Sequence, residues 1–375
     1  MTGLHGALLW PKILFPKISL IFDKCLLLTV AVVFLLDSCK RAPVSVDKTE
    51  DINKEELHLL MKSQYLPASI VETFERETGI SVRIQVCDSD MEMQHLLAKS
   101  PKIYDVLQPG ESLAADLVHD GKLAPISIEK IPNLRNLDSC FSGKPFDPSN
   151  RYTVPYLAGI MGILYNSEQV QGEIKDYDDV FIRKYAGRIV IPNDDREIAA
   201  CAVAQLHLGF ESVAPSNVEE IRKQLTVWLP LIGTYSSHVP PQTLLRRGDA
   251  VVAIMRSGEA YLLIQEDSKF KWVVPSVGAH LFIESLGISN ESAHQVAAEK
   301  FINFILRPDI SAQIARQEPY FNPNRIARST LPKEEQRCLC LLPEDFPKST
   351  LQTLPSLNSA IFQSLDAFAE GIRPK

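Results

Sequence analysis

The sequence predicts an α/β protein built as two lobes. Short apolar runs alternate with amphipathic helical ones along most of the chain, which is the pattern of α/β architecture. With Met1–Ser38 set aside as an export segment, the 375-residue chain still exceeds what a single core usually organises. Tyr152–Tyr165 holds two apolar extended runs separated by Gly159 and Gly162, and reads as the crossing point between the lobes.

The chain opens with Met1–Asp23, a long lead broken by Pro11 and Pro16 that is not expected to join the fold. Lys24 then precedes the apolar run Cys25–Leu36, and Leu36-Asp37-Ser38-Cys39 closes it. A charged entry, a short apolar stretch and a cleavage site make a secretory signal. The run is well under the ~18 residues that span a bilayer. A cysteine directly after the cleavage site resembles the lipobox of bacterial lipoproteins, in which Cys39 carries the lipid anchor; Asp37 departs from the small or apolar residue usual there. The expectation is a periplasmic protein, anchored to the membrane if Cys39 is modified. Residues 39–56, mixed in charge and poor in large apolar groups, read as a tether.

Leu57–Met61 is the first expected strand. Pro67 opens a helix with Ile70, Val71 and Phe74 on one face, and Gly79 ends it. Ile80–Val86 alternates as a strand, Met91–Lys99 is helical, Tyr104–Leu107 is a strand and Leu113–His119 a helix stopped by Gly121. Beyond the crossing, Arg188–Ile191 is a strand, Ile198–Leu208 an apolar helix and Asn217–Trp228 another helix. Ala250–Met255 is a strand followed by a helix through Ile264. Trp272–Val274 and Ser285–Ile288 are short strands, Ala297–Leu306 a helix ended by Pro308, and Leu357–Ala369 a closing amphipathic helix. In open sheets ligands bind beyond the carboxyl ends of strands. Four strand-to-helix turns therefore attract interest: Lys62–Tyr65, Pro109–Ser112, Pro192–Glu197 and Arg256–Glu259.

A formal net charge of −7 and a pI near 5.7 argue against a nucleic-acid partner and suit a cationic small ligand. Seven cysteines, at 25, 39, 87, 140, 201, 338 and 340, fit neither a zinc site nor a dense disulfide framework; Cys87 and Cys201, inside apolar runs, read as buried thiols. No nucleophile elbow or His-Glu-x-x-His motif is present, so neither an enzyme nor a cofactor is expected. Asn193-Asp194-Asp195-Arg196-Glu197 opens a helix, and the Asp194-to-Glu197 spacing is that of a capping box. The alternative is that these carboxylates face a cleft and neutralise a cation. Glu284, inside Leu281-Phe282-Ile283-Glu284-Ser285-Leu286, needs a cationic partner if buried.

At these residues the chain resembles the spermidine/putrescine-binding lipoproteins of bacterial polyamine ABC transporters. The likeness covers about Leu57 to Gly371. It rests on Phe74-Glu75-Arg76-Glu77-Thr78-Gly79-Ile80, Tyr104-Asp105-Val106, Lys144-Pro145-Phe146-Asp147-Pro148 and Val154-Pro155-Tyr156, then on Asp194 to Glu197, Ile302 to Asp309 and Pro323-Asn324, in order and at matching spacing. It implies a type II periplasmic binding protein with a central ligand cleft and crossing strands, monomeric, handing a small cation to an inner-membrane ABC permease. Lobe 1 is then 57–158 plus 286–328, and lobe 2 is 159–285 plus 329–375. The resemblance carries cleft acids to Asp194, Glu197 and Glu284, a cleft tyrosine to Tyr65, and polar positions to Ser63, Ser237 and Gln352. It places Lys62 and Arg256 where the pattern has tryptophan, Ser112 where it has tyrosine, and Phe282 at a third tryptophan position. With that lining so changed, a zwitterionic or anionic ligand held by Lys62 and Arg256 stands beside the polyamine as the alternative.

Overall fold

The computed structural model describes residues 55–62, 65–236, 239–332 and 350–373. Cys39, Ser63, Ser237 and the Cys338/Cys340 pair lie outside them. β1 (Glu56–Lys62) is followed by α1 (Ala68–Thr78), β2 (Ser81–Cys87), α2 (Asp90–Lys99), β3 (Val106–Leu107) and α3 (Glu111–His119). β1 lies parallel between β2 and β3. α1 ends where Gly79 turns left-handed at φ 73° and its N–H reaches Glu75 O, as its sequence predicts. Its buried Phe74 meets the edges of Phe301 and Phe304 at 5.2 and 5.3 Å between ring centroids.

The long strand β4 (Val154–Asn166) then leads into α4 (Tyr177–Val180), β5 (Ile189–Pro192), α5 (Asp195–Gln205), α6 (Val218–Trp228), β6 (Ile232–Ser236), α7 (Pro241–Arg247), β7 (Val252–Arg256), α8 (Ser257–Glu266), β8 (Phe270–Val273) and β9 (Ala279–Ile288). The chain finishes with α9 (Gln295–Ile305), α10 (Pro308–Gln317), α11 (Arg325–Thr330), β10 (Leu351–Gln352) and α12 (Ala360–Ile372). The sheet order is β2-β1-β3-β9-β4-β7-β5-β6, with β10 beside β9 and β8 beside β4.

Two antiparallel strands cross between the halves of this sheet. The first part of β4 pairs with Leu281–Leu286 of β9, and its last part, Met161–Asn166, pairs with β7 and β8. β9 runs the other way and ends against β3. The result is a two-lobe α/β fold, as expected. Tyr152–Tyr165, however, is not two runs broken by glycine: Gly159 and Gly162 stay in one continuous strand. A Cβ on them would stand 2.3 Å from the Phe282 ring and 2.5 Å from the Trp272 ring, so these glycines let neighbouring side chains lie across the strand instead of ending it. β9 likewise begins six residues before the expected Ser285.

Candidate functional site

The carboxyl ends of β1, β3, β5 and β7 put the four singled-out turns close together, and β9 runs among them. His280, Phe282 and Glu284 share one face of β9, since side chains alternate along a strand, and the outer two stand roughly 13 Å apart at 3.3 Å per residue. Glu284 and His280 form two charged poles, with Phe282 between them.

At the Glu284 pole the partner is Lys62, the last residue of β1. Its ammonium lies 2.9 Å from both Glu284 oxygens and 2.8 Å from Asp90 Oδ1, at the start of α2. The Lys62 side chain is 11% exposed and that of Glu284 3%. Burial opposes the Lys62 charge, but Asp90 and Glu284 outweigh it and hold the pKa above the ordinary lysine value. Burial raises the Glu284 pKa while Lys62 pulls it down. The backbone is shaped for this pair. Gly110 donates its N–H to Asp90 Oδ1 at 3.0 Å, and a Cβ there would stand 2.7 Å from Asp90 Oδ2 and 3.0 Å from Lys62 Nζ.

At the other pole His280, 5% exposed, is held between two carboxylates. Its Nε2 lies 2.6 Å from Glu111 Oε1 on α3, and its Nδ1 3.0 Å from both oxygens of Glu197 on α5. Burial disfavours the imidazolium, yet Glu197 and Glu111 push its pKa up to about 10, so both ring nitrogens donate at neutral pH. Burial would raise the Glu111 pKa, but the His280 charge and hydrogen bond, with the Ile283 N–H that Glu111 accepts at 3.0 Å, hold it low.

Between the poles the Arg256 guanidinium sits 5.2 Å from the Phe282 ring centroid and donates to Tyr65 Oη at 2.8 Å. The Tyr320 ring meets Tyr65 and Phe282 edge-on at 5.6 and 5.7 Å, and its hydroxyl donates to Glu259 Oε1 at 3.0 Å. Gly258 makes room for Tyr320, since a Cβ there would lie 2.5 Å from the ring. Asp194 caps α5 by accepting the Arg196 N–H at 2.9 Å, but the capping box expected from the Asp194-to-Glu197 spacing does not form, because the Glu197 carboxylate turns to His280 instead. Asp194 as a whole is exposed, yet desolvation of its carboxylate, then Glu197, raises its pKa. Burial raises the Glu259 pKa as well.

Lys62 thus turns inward and locks onto Glu284, and Arg256 turns inward onto Tyr65. Ser112 Oγ accepts from Arg196 Nη2 at 3.4 Å. Gln352 lies beside His280 in the sheet, with its amide oxygen accepting the Phe210 N–H at 2.8 Å. Sequence reasoning missed four members of the cluster: Asp90, Glu111, His280 and Tyr320. Glu111 lay inside a turn already singled out, and His280 was signalled by its even spacing from Phe282 and Glu284. Tyr320, in the loop between α10 and α11, carries no periodic signal.

Residues 69–333 match the family described as bacterial extracellular solute-binding protein, and the chain belongs to that family. It is 28% identical over 295 residues to the spermidine/putrescine-binding periplasmic protein of Salmonella typhimurium, covering 78% of this chain and 84% of that one. The putrescine-binding periplasmic protein SpuD of Pseudomonas aeruginosa is 27% identical over 323 residues, covering 80% of this chain and 87% of the relative. The fold matches the crystal structure of the spermidine/putrescine ABC transporter substrate-binding protein PotD from Streptococcus pneumoniae with a TM-score of 0.73 and 24% identity, over 84% of this chain and 99% of that one. Among the described residues no helix is long and apolar enough to cross a membrane.

Proposed function

We propose that this chain is the extracytoplasmic substrate-binding component of an ABC transporter, and that it captures a polyamine-class cation and delivers it to an inner-membrane permease. One observation carries the ligand class. Six carboxylates (Asp90, Glu111, Asp194, Glu197, Glu259 and Glu284) gather against four cations (Lys62, Arg196, Arg256 and His280). The balance is negative in a half-buried place where a ligand ammonium is worth more than in water. The names of the relatives point the same way. Asp194, Glu259, Tyr65, Phe282 and Gln352 line the ligand's place in this reading, Glu197 and Glu284 act on it through the cations they hold, and β4 and β9 are the crossing strands about which lobes 57–158 plus 286–328 and 159–285 plus 329–375 close. The protein acts by binding and release, without catalysis, and Cys39 carries its lipid anchor.

Titration calorimetry of residues 40–375 with putrescine and spermidine tests the reading. Saturable heat with either amine is expected; no heat at millimolar ligand rejects it. A second reading, a zwitterionic ligand, rests on Arg256: among the described residues its guanidinium makes a single hydrogen bond, to Tyr65, and no carboxylate stands at ion-pair distance. Tighter binding of an ω-amino acid than of the matching diamine would favour it.

A further inference from the structure

We infer that Lys62 sets the charge of the ligand: its side chain is a resident ammonium that fills the Glu284 pole, so the site takes a diamine in preference to a triamine. The inference rests on the amine-capture reading above and deepens it.

The pole is built around a cation that the protein itself supplies. Lys62 Nζ is within 2.9 Å of three carboxylate oxygens from two elements distant in sequence, Asp90 on α2 and Glu284 on β9. Both carboxylates are at most 17% exposed. A buried carboxylate demands a counter-ion, and here that demand is met before any ligand arrives. The seat is cut for the pair, because any side chain at position 110 would collide with Asp90 and crowd the Lys62 amine. The opposite pole is met in the same way by His280, clasped by Glu111 and Glu197. A linear polyamine that spanned the β9 face would bring an ammonium to each pole and find a positive charge there already. Of the six carboxylates of this cluster, Asp194 and Glu259 are the two for which the described residues supply no ion pair, and these are the groups left to a ligand's charges. Two such groups match a dication.

The test is calorimetry of wild type and Lys62→Met with putrescine and spermidine, with Lys300→Met, an exposed residue of α9, as the control for net charge. Wild type is expected to bind putrescine more tightly than spermidine. Lys62→Met is expected to gain at least tenfold in spermidine affinity relative to putrescine, whereas Lys300→Met keeps the wild-type ratio. Because Lys62→Met leaves two buried acids together, the double variant Lys62→Gln with Asp90→Asn is measured beside it, and the same gain is expected once Glu284 is free. An unchanged or lower spermidine-to-putrescine ratio in both variants, with amine binding retained, overturns the role of Lys62 alone. Absence of heat with either amine in every protein overturns amine capture itself, and this inference with it.

Discussion

Lys62 and His280 each hold two acids that would otherwise be buried without a counter-ion, and this fixes what single substitutions do. Breaking one partner of a buried ion pair typically costs about 3–5 kcal/mol. Lys62→Met is therefore expected to lower the ligand-free unfolding free energy by about that much, read from urea denaturation, and a saturating cationic ligand is expected to restore part of it by mass action. His280 makes a pH signature. Its folded pKa, about 10, lies above the unfolded value of about 6.5. Its contribution to stability is thus fully present below the unfolded value and is lost as pH rises through the folded one. Urea midpoints of wild type should fall steadily across that window, and those of His280→Phe should be flatter there, from a lower start.

The glycines of β4 and of the turn before α3 matter at the scale of elements. Gly159→Ala places a methyl within 2.3 Å of the Phe282 ring, which the surrounding buried residues leave little room to relieve. Overpacking of that kind costs about 1–3 kcal/mol, and the same change moves Phe282 from under Arg256. A lowered melting temperature together with weaker amine binding is expected, whereas Gly371→Ala on α12, with open space around its Cβ, should leave binding alone. The elements were legible in the sequence wherever periodicity and caps agreed, as in β1, α1, α2 and α6. β9 was half lost because His280 and Glu284 interrupt its apolar pattern, and they are polar because they belong to the site. α10 was missed because Pro308, read as a stop, is the first residue of the next helix, a position proline suits. The candidate site was half legible: acids and cations that sit in the four turns could be named, but which cation meets which acid is decided by crossing strands far apart in the chain.

Over the whole molecule, two lobes joined by β4 and β9 suit a protein that shifts between open and closed states, with a ligand favouring the state it binds better. The resident cations change the expected balance. With Lys62 and His280 already holding acids from α2, α3, α5 and β9 together, repulsion between the walls of the cleft is partly relieved without ligand. Small-angle scattering is therefore expected to show a smaller ligand-dependent decrease in radius of gyration for wild type than for Lys62→Met. Equal decreases in the two proteins would separate the ion pairs from closure. The most direct measurement of all is a crystal structure of the protein grown with putrescine. An extended diamine is expected beside Phe282, its nitrogens within hydrogen-bond reach of Asp194 and Glu259, with Lys62 still on Glu284. A structure in which the acid-rich cleft stays without amine, or in which the diamine binds elsewhere, would contradict that expectation.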